Sequence, residues 1–234
     1  MKTSPAFWSL DGFALGARLG APLLPGMIAF GLAVGSTGAA KGLTLAESIL
    51  MNGLVYAGLS QMAALGVWPS EMTSGAIVGL ALLVFTVNSR LLLAGAGLQP
   101  WLGTLPASQV YPTLYLLTDP GWIIAMRYRA EGGADAAIIL GGGLLFYAFW
   151  MVATTVGHLA GSLVPDPQAI ALDLVVPVFF AAMLVPLWRG PKRALAWAVA
   201  GVVALAFYFF VEGWWYVIAG SVAGIVAGGF VDDD

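Results

Sequence analysis

Cysteine is absent from the chain. Disulfides, thiolate chemistry and cysteine-based metal sites are therefore excluded. Histidine occurs once, at His158, and no HExxH segment or histidine-rich ligand set is present. No metal site and no cofactor are expected. There is no P-loop, so the chain does not hydrolyse ATP itself, and no GxSxG segment or visible nucleophile–base pair points to an enzyme. Charge is scarce as well. Lys and Arg number 9 and Asp and Glu 12 among 234 residues, 9% together, with a net charge of −3. A soluble domain carries about 25% charged residues. No basic patch supports nucleic-acid binding.

What remains is apolar. Hydrophobic residues make up 60% of the chain, and the mean hydropathy is +0.93. A core cannot absorb that much apolar side chain and leave a soluble surface. Several runs reach the roughly 20 residues that cross a bilayer. The expected fold is an all-α polytopic membrane protein, a single permease domain over residues 1–234. Gly (31) and Pro (13) show no collagen period. Both are frequent in membrane helices, where small residues allow close packing.

The runs predict an interfacial or re-entrant piece at Phe7–Leu19 and spans at about 20–38, 44–66, 73–97, 109–126, 136–161, 170–188, 194–211 and 214–230. Eight spans is the first reading and seven the alternative. The fourth run, "QVYPTLYLLTDPGWIIAM", holds two Pro, an Asp and a Gly, which predicts a broken or re-entrant helix. Acidic Asp11 and Arg18 before the first full run argue against a cleaved signal peptide, so the first span is expected in the mature protein. Arg127 and Arg129 lie in one loop, and Arg189, Lys192 and Arg193 in another two spans on. The positive-inside bias places both in the cytoplasm. With eight spans both termini are also inside, and only Lys41 falls on the other side. Spans 1 and 6, "APLLPGMIAFGL" and "DLVVPVFFAAMLVPL", hold internal Pro, run in opposite directions and are each followed by two further spans. That pattern predicts an inverted repeat of three helices with broken helices near the midplane.

A polar group in hydrocarbon costs several kcal/mol unless paired. Asn52, Tyr56 and Ser60 are spaced by four, which predicts one polar helix face, with Gln61 following. The face either lines a pathway or makes interhelical hydrogen bonds. Arg90, in "FTVNSRLLLAG", lies too deep for easy snorkelling. It either binds a substrate carboxylate or gates, or it pairs with Asp119 or another acid to hold helices together. Asn88, two residues earlier, does not share its face on a regular helix. Asp119 sits in Thr118-Asp119-Pro120-Gly121, a helix break or a capping turn. His158 reads as a packing residue, with a proton relay the lesser reading. Gly157 with Gly161, and Gly220 with Gly224, read as close helix contacts. Asp173 and Glu47 are expected to satisfy helix N-termini, Glu212 to face solvent, and Trp214, Trp215 and Tyr216 to form an interfacial belt.

With these motifs in place, the chain resembles the AzlC family of branched-chain amino-acid permeases over nearly its whole length. The family's opening "P…G…PFG" reads "LLPGMIAFGLAVG" here, and its "YAGxSQF" reads "YAGLSQM", Tyr56–Met62. An Asn or Asp two before Arg, often followed by His, reads Asn88-Ser89-Arg90 with Leu91 in the histidine position. "LTDE" reads Leu117-Thr118-Asp119-Pro120, and "LPxxF" corresponds to "LDLVVPVFFAAML" through Pro177 and Phe180. The resemblance implies export of small neutral, branched-chain amino acids by secondary transport across a bacterial inner membrane, driven by an ion or proton gradient. Its motif residues Tyr56, Ser60, Gln61, Asn88, Arg90 and Asp119 are present and, with Asn52 from the polar face, are the substrate-site candidates; the resemblance also implies as partner a small AzlD-type membrane protein. Pro120 and Leu91 depart from the pattern and put proton coupling through those positions in doubt. Rival readings are a non-transporting scaffold subunit and a passive channel. Small-residue faces would serve either the partner or a homo-oligomer within the bilayer.

Overall fold

The computed structural model describes residues 7–69, 71–161, 190–211 and 215–231. These are helical, apart from connecting turns and one isolated bridge between Phe7 and Asp135. The helices are α1 (Leu10–Gly20), α2 (Leu24–Ala40), α3 (Leu45–Val55), α4 (Gly58–Gly66), α5 (Ser74–Leu102), α6 (Ala107–Tyr115), α7 (Asp119–Ala130), α8 (Ala137–Gly161), α9 (Pro191–Phe210) and α10 (Trp215–Val231), with a 3-10 turn at Ala21–Leu23. Three stretches are long and apolar enough to cross a bilayer: Leu10–Ala40, Ser74–Leu102 and Ala137–Gly161. The expected spans at 44–66 and 109–126 are each divided into two short helices, α3 with α4 and α6 with α7. Span 6 (170–188), with Asp173, Pro177 and Phe180, lies outside the described residues, as do Glu212 and Trp214. The expected inverted repeat therefore also lies there in part.

Two compact units divide the chain: Met1–Met62 with Asn88–Val175, and Ala63–Val87 with Val176–Asp234. In the first unit the expected interfacial or re-entrant N-terminal piece is instead the start of one 31-residue rod, Leu10–Ala40. At helical rise that rod is about 46 Å long, more than a hydrocarbon core is thick. Pro22 and Pro25 do not break it. Each lies in the first turn of a helical segment, where the missing N–H has no partner to lose.

The rod lies along α8 through glycines on both partners. A Cβ on Gly16 would sit 2.0 Å from the Ile138 carbonyl oxygen, and one on Gly141 1.9 Å from that of Phe13. Farther along, Gly35 meets Thr154 O at 2.0 Å and Gly157 meets Leu32 O at 2.2 Å. Residue numbers rise together on the two helices, so they run parallel.

Caps set several of the ends. Thr44 and Glu47 form a reciprocal capping box at the start of α3, the role expected of Glu47. Thr118 caps α7, and Arg127 and Arg129 occupy that helix's last turn, favourable for the dipole. The Arg129 guanidinium lies over the Trp101 ring at 5.3 Å. An apolar core of Leu98, Trp101, Leu102, Leu117, Ala125, Ala136, Ile138 and Ile139 joins α5, α7 and the start of α8.

Buried Asp135 fastens the chain's beginning to α8. Its carboxylate accepts the Ser9 N–H at 3.2 Å, the Ala137 N–H at 3.1 Å and the Ser9 hydroxyl. Ser9 Oγ in turn accepts the Gly12 N–H at 2.9 Å. Asp135→Ala is expected to lower unfolding stability by about 3 kcal/mol, since bonds to a charged acceptor are each worth roughly 1.5–3 kcal/mol. Asp135→Asn should recover part of that. Equal melting temperatures of wild type and alanine variant would contradict it.

In the second unit α9 and α10 pack antiparallel. Gly220 meets Ala204 and Ala200, and Gly224 meets Ala200 and Ala196, the close contact expected of that pair. Tyr216 stacks edge-on against Tyr208, ring centroids 5.6 Å apart.

Candidate functional site

The stretch "NGLVYAGLSQM" does not continue as a helix. Tyr56 ends α3 with φ 44° and ψ 45°, and α4 begins at Gly58. A left-handed conformation at a bulky residue costs on the order of 1–3 kcal/mol, so the surroundings must favour it. Trp150 and Phe30 lie so close to Gly58 that a Cβ there would meet them at 2.6 and 2.9 Å. The Tyr56 ring packs edge-on against Tyr147, centroids 4.9 Å apart, and near Tyr115 at 6.5 Å.

The break frees backbone carbonyls at the end of α3, and in an apolar setting each needs a donor. Gly53 O receives the hydroxyls of Tyr147, at 3.0 Å, and of Tyr115. Gln61 reaches back from α4. Its amide nitrogen donates to Met51 O at 2.9 Å and to Asn52 Oδ1 at 3.2 Å. Asn52 donates to Ser48 O at 2.8 Å and is fully buried. The expected polar face of Asn52, Tyr56 and Ser60 thus does not exist as one helix face, because the chain changes direction at Tyr56. Asn52 and Gln61 bind each other across the break instead.

The second break falls at 116–118, as the Thr-Asp-Pro-Gly chemistry predicts. Thr118 Oγ1 accepts the Gly121 N–H at 3.3 Å, and Pro120 sits in the first turn of α7. The turn crosses Gly143, whose absent Cβ would lie 2.7 Å from Leu116 O. Tyr115, just before this break, is the residue whose hydroxyl meets Gly53 beside the other. The two interruptions are neighbours.

α5 touches both. It is regular here, so Asn88 and Arg90 point to different neighbours, as their spacing predicts. Asn88 Nδ2 donates to Ser60 Oγ at 3.0 Å, and Ser60 donates onward to Ala57 O at 2.9 Å. Arg90 Nη1 pairs with Asp119 Oδ2 at 2.5 Å. Their side chains are 36% and 31% exposed, so the pair is reachable from outside the protein core. Of the two roles open to Arg90 from the sequence, pairing with Asp119 is present.

All seven candidate residues therefore lie at or beside two neighbouring helix breaks, within the first unit. Tyr115, Tyr147 and Trp150 lie there too and were not singled out. The signal available was slight: Tyr115 stands three residues before Thr118, but nothing local marks Tyr147 or Trp150 on α8. His158 is not among them. It lies buried on α8, and its Nδ1 has no partner among the described residues.

Comparison with known proteins adds the family. No curated protein and no solved structure matches the chain. The family model described as AzlC protein matches residues 22–164, more than half of the sequence and all seven candidate positions. With its long apolar helices and helix breaks, the chain is a membrane protein that belongs to the AzlC family, a transporter family associated with branched-chain amino acids.

Proposed function

We propose that the chain is the large subunit of a secondary transporter that exports small neutral amino acids, branched-chain ones foremost, across the bacterial inner membrane. An AzlD-type small membrane protein is its partner in this reading. The observation that carries it is the Arg90–Asp119 pair, partly exposed between two interrupted helices. A zwitterion matches such a pair group for group. Its carboxylate takes the Arg90 guanidinium, whose planar fork suits it, and its ammonium takes the Asp119 carboxylate. The substrate replaces one ion pair by two, so no net charge is added to the site. Broken helices around a central site are the usual setting for alternating access.

The apolar side chains around the breaks receive the substrate's own side chain. Each buried CH₂ is worth about 0.8 kcal/mol, which grades leucine, isoleucine, valine and methionine weakly. Counterflow in proteoliposomes holding both subunits tests this. Saturable exchange of those four amino acids, with little exchange of lysine or glutamate, is expected. Flux without saturation would favour a channel. An assembled complex that exchanges none of them would favour the scaffold reading, which the internal bonding of Asn52 and Gln61 also suits.

A further inference from the structure

The hydrogen bonds around Tyr56 leave a specific remainder. Gln61 must turn its amide nitrogen toward Met51 O and Asn52 Oδ1, because both are acceptors. Its carbonyl oxygen then faces away, and that oxygen is buried with no donor among the described residues. Ser60 gives its proton to Ala57 O and so can only accept from Asn88. This fixes the Asn88 amide as well, and its Oδ1 is likewise buried without a donor. Tyr56 Oη is the third such oxygen. Gln61 is 3% exposed and Tyr56 7%. Three buried oxygens without a donor thus belong to residues at this break or bonded to it, two of them carbonyls whose orientation the network dictates, and such oxygens attract positive charge. An orphaned buried acceptor is destabilising, and a bound cation removes that cost.

We propose that this break binds a monovalent metal cation of the sodium type, with Gln61 Oε1 and Asn88 Oδ1 as ligands and Tyr56 Oη beside them. The three oxygens are neutral, which suits a single positive charge better than a divalent ion, whose sites gather carboxylates. None of the three is a carboxylate or imidazole able to take up a proton near neutral pH. Unwound backbone beside a half-helix end is where transporters hold coupling ions. Ala57 O and Gly53 O, both at this break, already hold donors. Asn88 lies two residues before Arg90, so the ion and the zwitterion site share α5. The coupling role rests on the transport reading above, whereas the binding site stands without it.

The test is thermal melting and ²²Na⁺ binding of the purified full chain, in sodium chloride against choline chloride at equal ionic strength. Sodium is expected to raise the melting temperature saturably. Asn88→Leu should weaken the apparent affinity at least about tenfold and Asn88→Asp should strengthen it by a similar factor, since ligand charge tunes such sites. Ser221→Ala, on α10, should change neither. Opposite signs from one position are not produced by a merely structural residue. Identical melting of the wild type in the two salts overturns the site, as does an Asn88→Asp variant that loses sodium binding as Asn88→Leu does. Leucine giving the same protection in choline, and losing it in Asn88→Leu, would assign these oxygens to the substrate ammonium and overturn the metal ion. A chain that ignores sodium yet still exchanges leucine with its partner leaves the transport reading in place and removes only this one.

Discussion

Replacing Arg90 by leucine is expected to lower amino-acid exchange at least about a hundredfold while the protein still assembles. The guanidinium is the one cation among the seven candidate residues, and a bidentate bond to a carboxylate is among the stronger polar contacts available. Loss of a hydrogen bond to a charged group costs about 1.5–3 kcal/mol. Two such bonds lost from the substrate complex reach the hundredfold range at 1.4 kcal/mol per factor of ten. Folding should suffer less. The side chains of Arg90 and Asp119 are each about one-third exposed, so an Asp119 left alone is not sealed in the core. Arg90→Lys keeps the charge without the fork and should retain a fraction of the activity. The double change Arg90→Leu with Asp119→Leu removes both charges and should melt close to wild type but exchange nothing. Counterflow and size-exclusion profiles, taken on the same preparations, decide the matter. If the Arg90→Leu complex falls apart, or if it assembles and exchanges leucine normally, the zwitterion site is wrong.

The largest structural effect is expected at the contact between the N-terminal rod and α8. Gly157→Ala places a methyl group 2.2 Å from the Leu32 carbonyl oxygen, and Gly35→Ala places one 2.0 Å from that of Thr154. Backbone atoms cannot rotate away, so the helices must move apart along their length. Overpacking costs about 1–3 kcal/mol even where side chains can yield, so each change should cost about 3 kcal/mol or more. A fall in melting temperature on the order of 10 °C corresponds to that, with poor recovery of monodisperse protein. Gly201→Ala is the control. Among the described residues no atom of another element lies within 4 Å of the added methyl group, and alanine is the better helix former, so its melting temperature should hold or rise. A Gly157→Ala variant that melts like wild type would refute the close approach of the two backbones.

The break at 116–118 was legible in advance because its chemistry is local. Thr118 can cap, Pro120 cannot extend a helix backwards, and Gly121 tolerates the turn. The break at Tyr56 was not legible. "NGLVYAGLSQM" has no Pro, and a spacing of four among Asn52, Tyr56 and Ser60 reads as a helix face. What interrupts it comes from elsewhere in the chain: Trp150 and Phe30 against Gly58, and the Tyr115 and Tyr147 hydroxyls on Gly53 O. The N-terminal rod was misjudged for a similar reason. Pro22 and Pro25 suggest an interruption when taken alone, and whether α1 stacks on α2 depends on the glycines that both present to α8.

Composition alone decided the solvent, because apolar runs of this length have no soluble alternative. Residue type decided which groups could carry charge or polarity in that solvent, so the candidate residues were identifiable one by one. Which of them meet was decided by packing. Hydrogen bonds act over about 3 Å, and the partners that set Tyr56, Asn88 and Arg90 come from helices tens of residues away. No local periodicity encodes such distances.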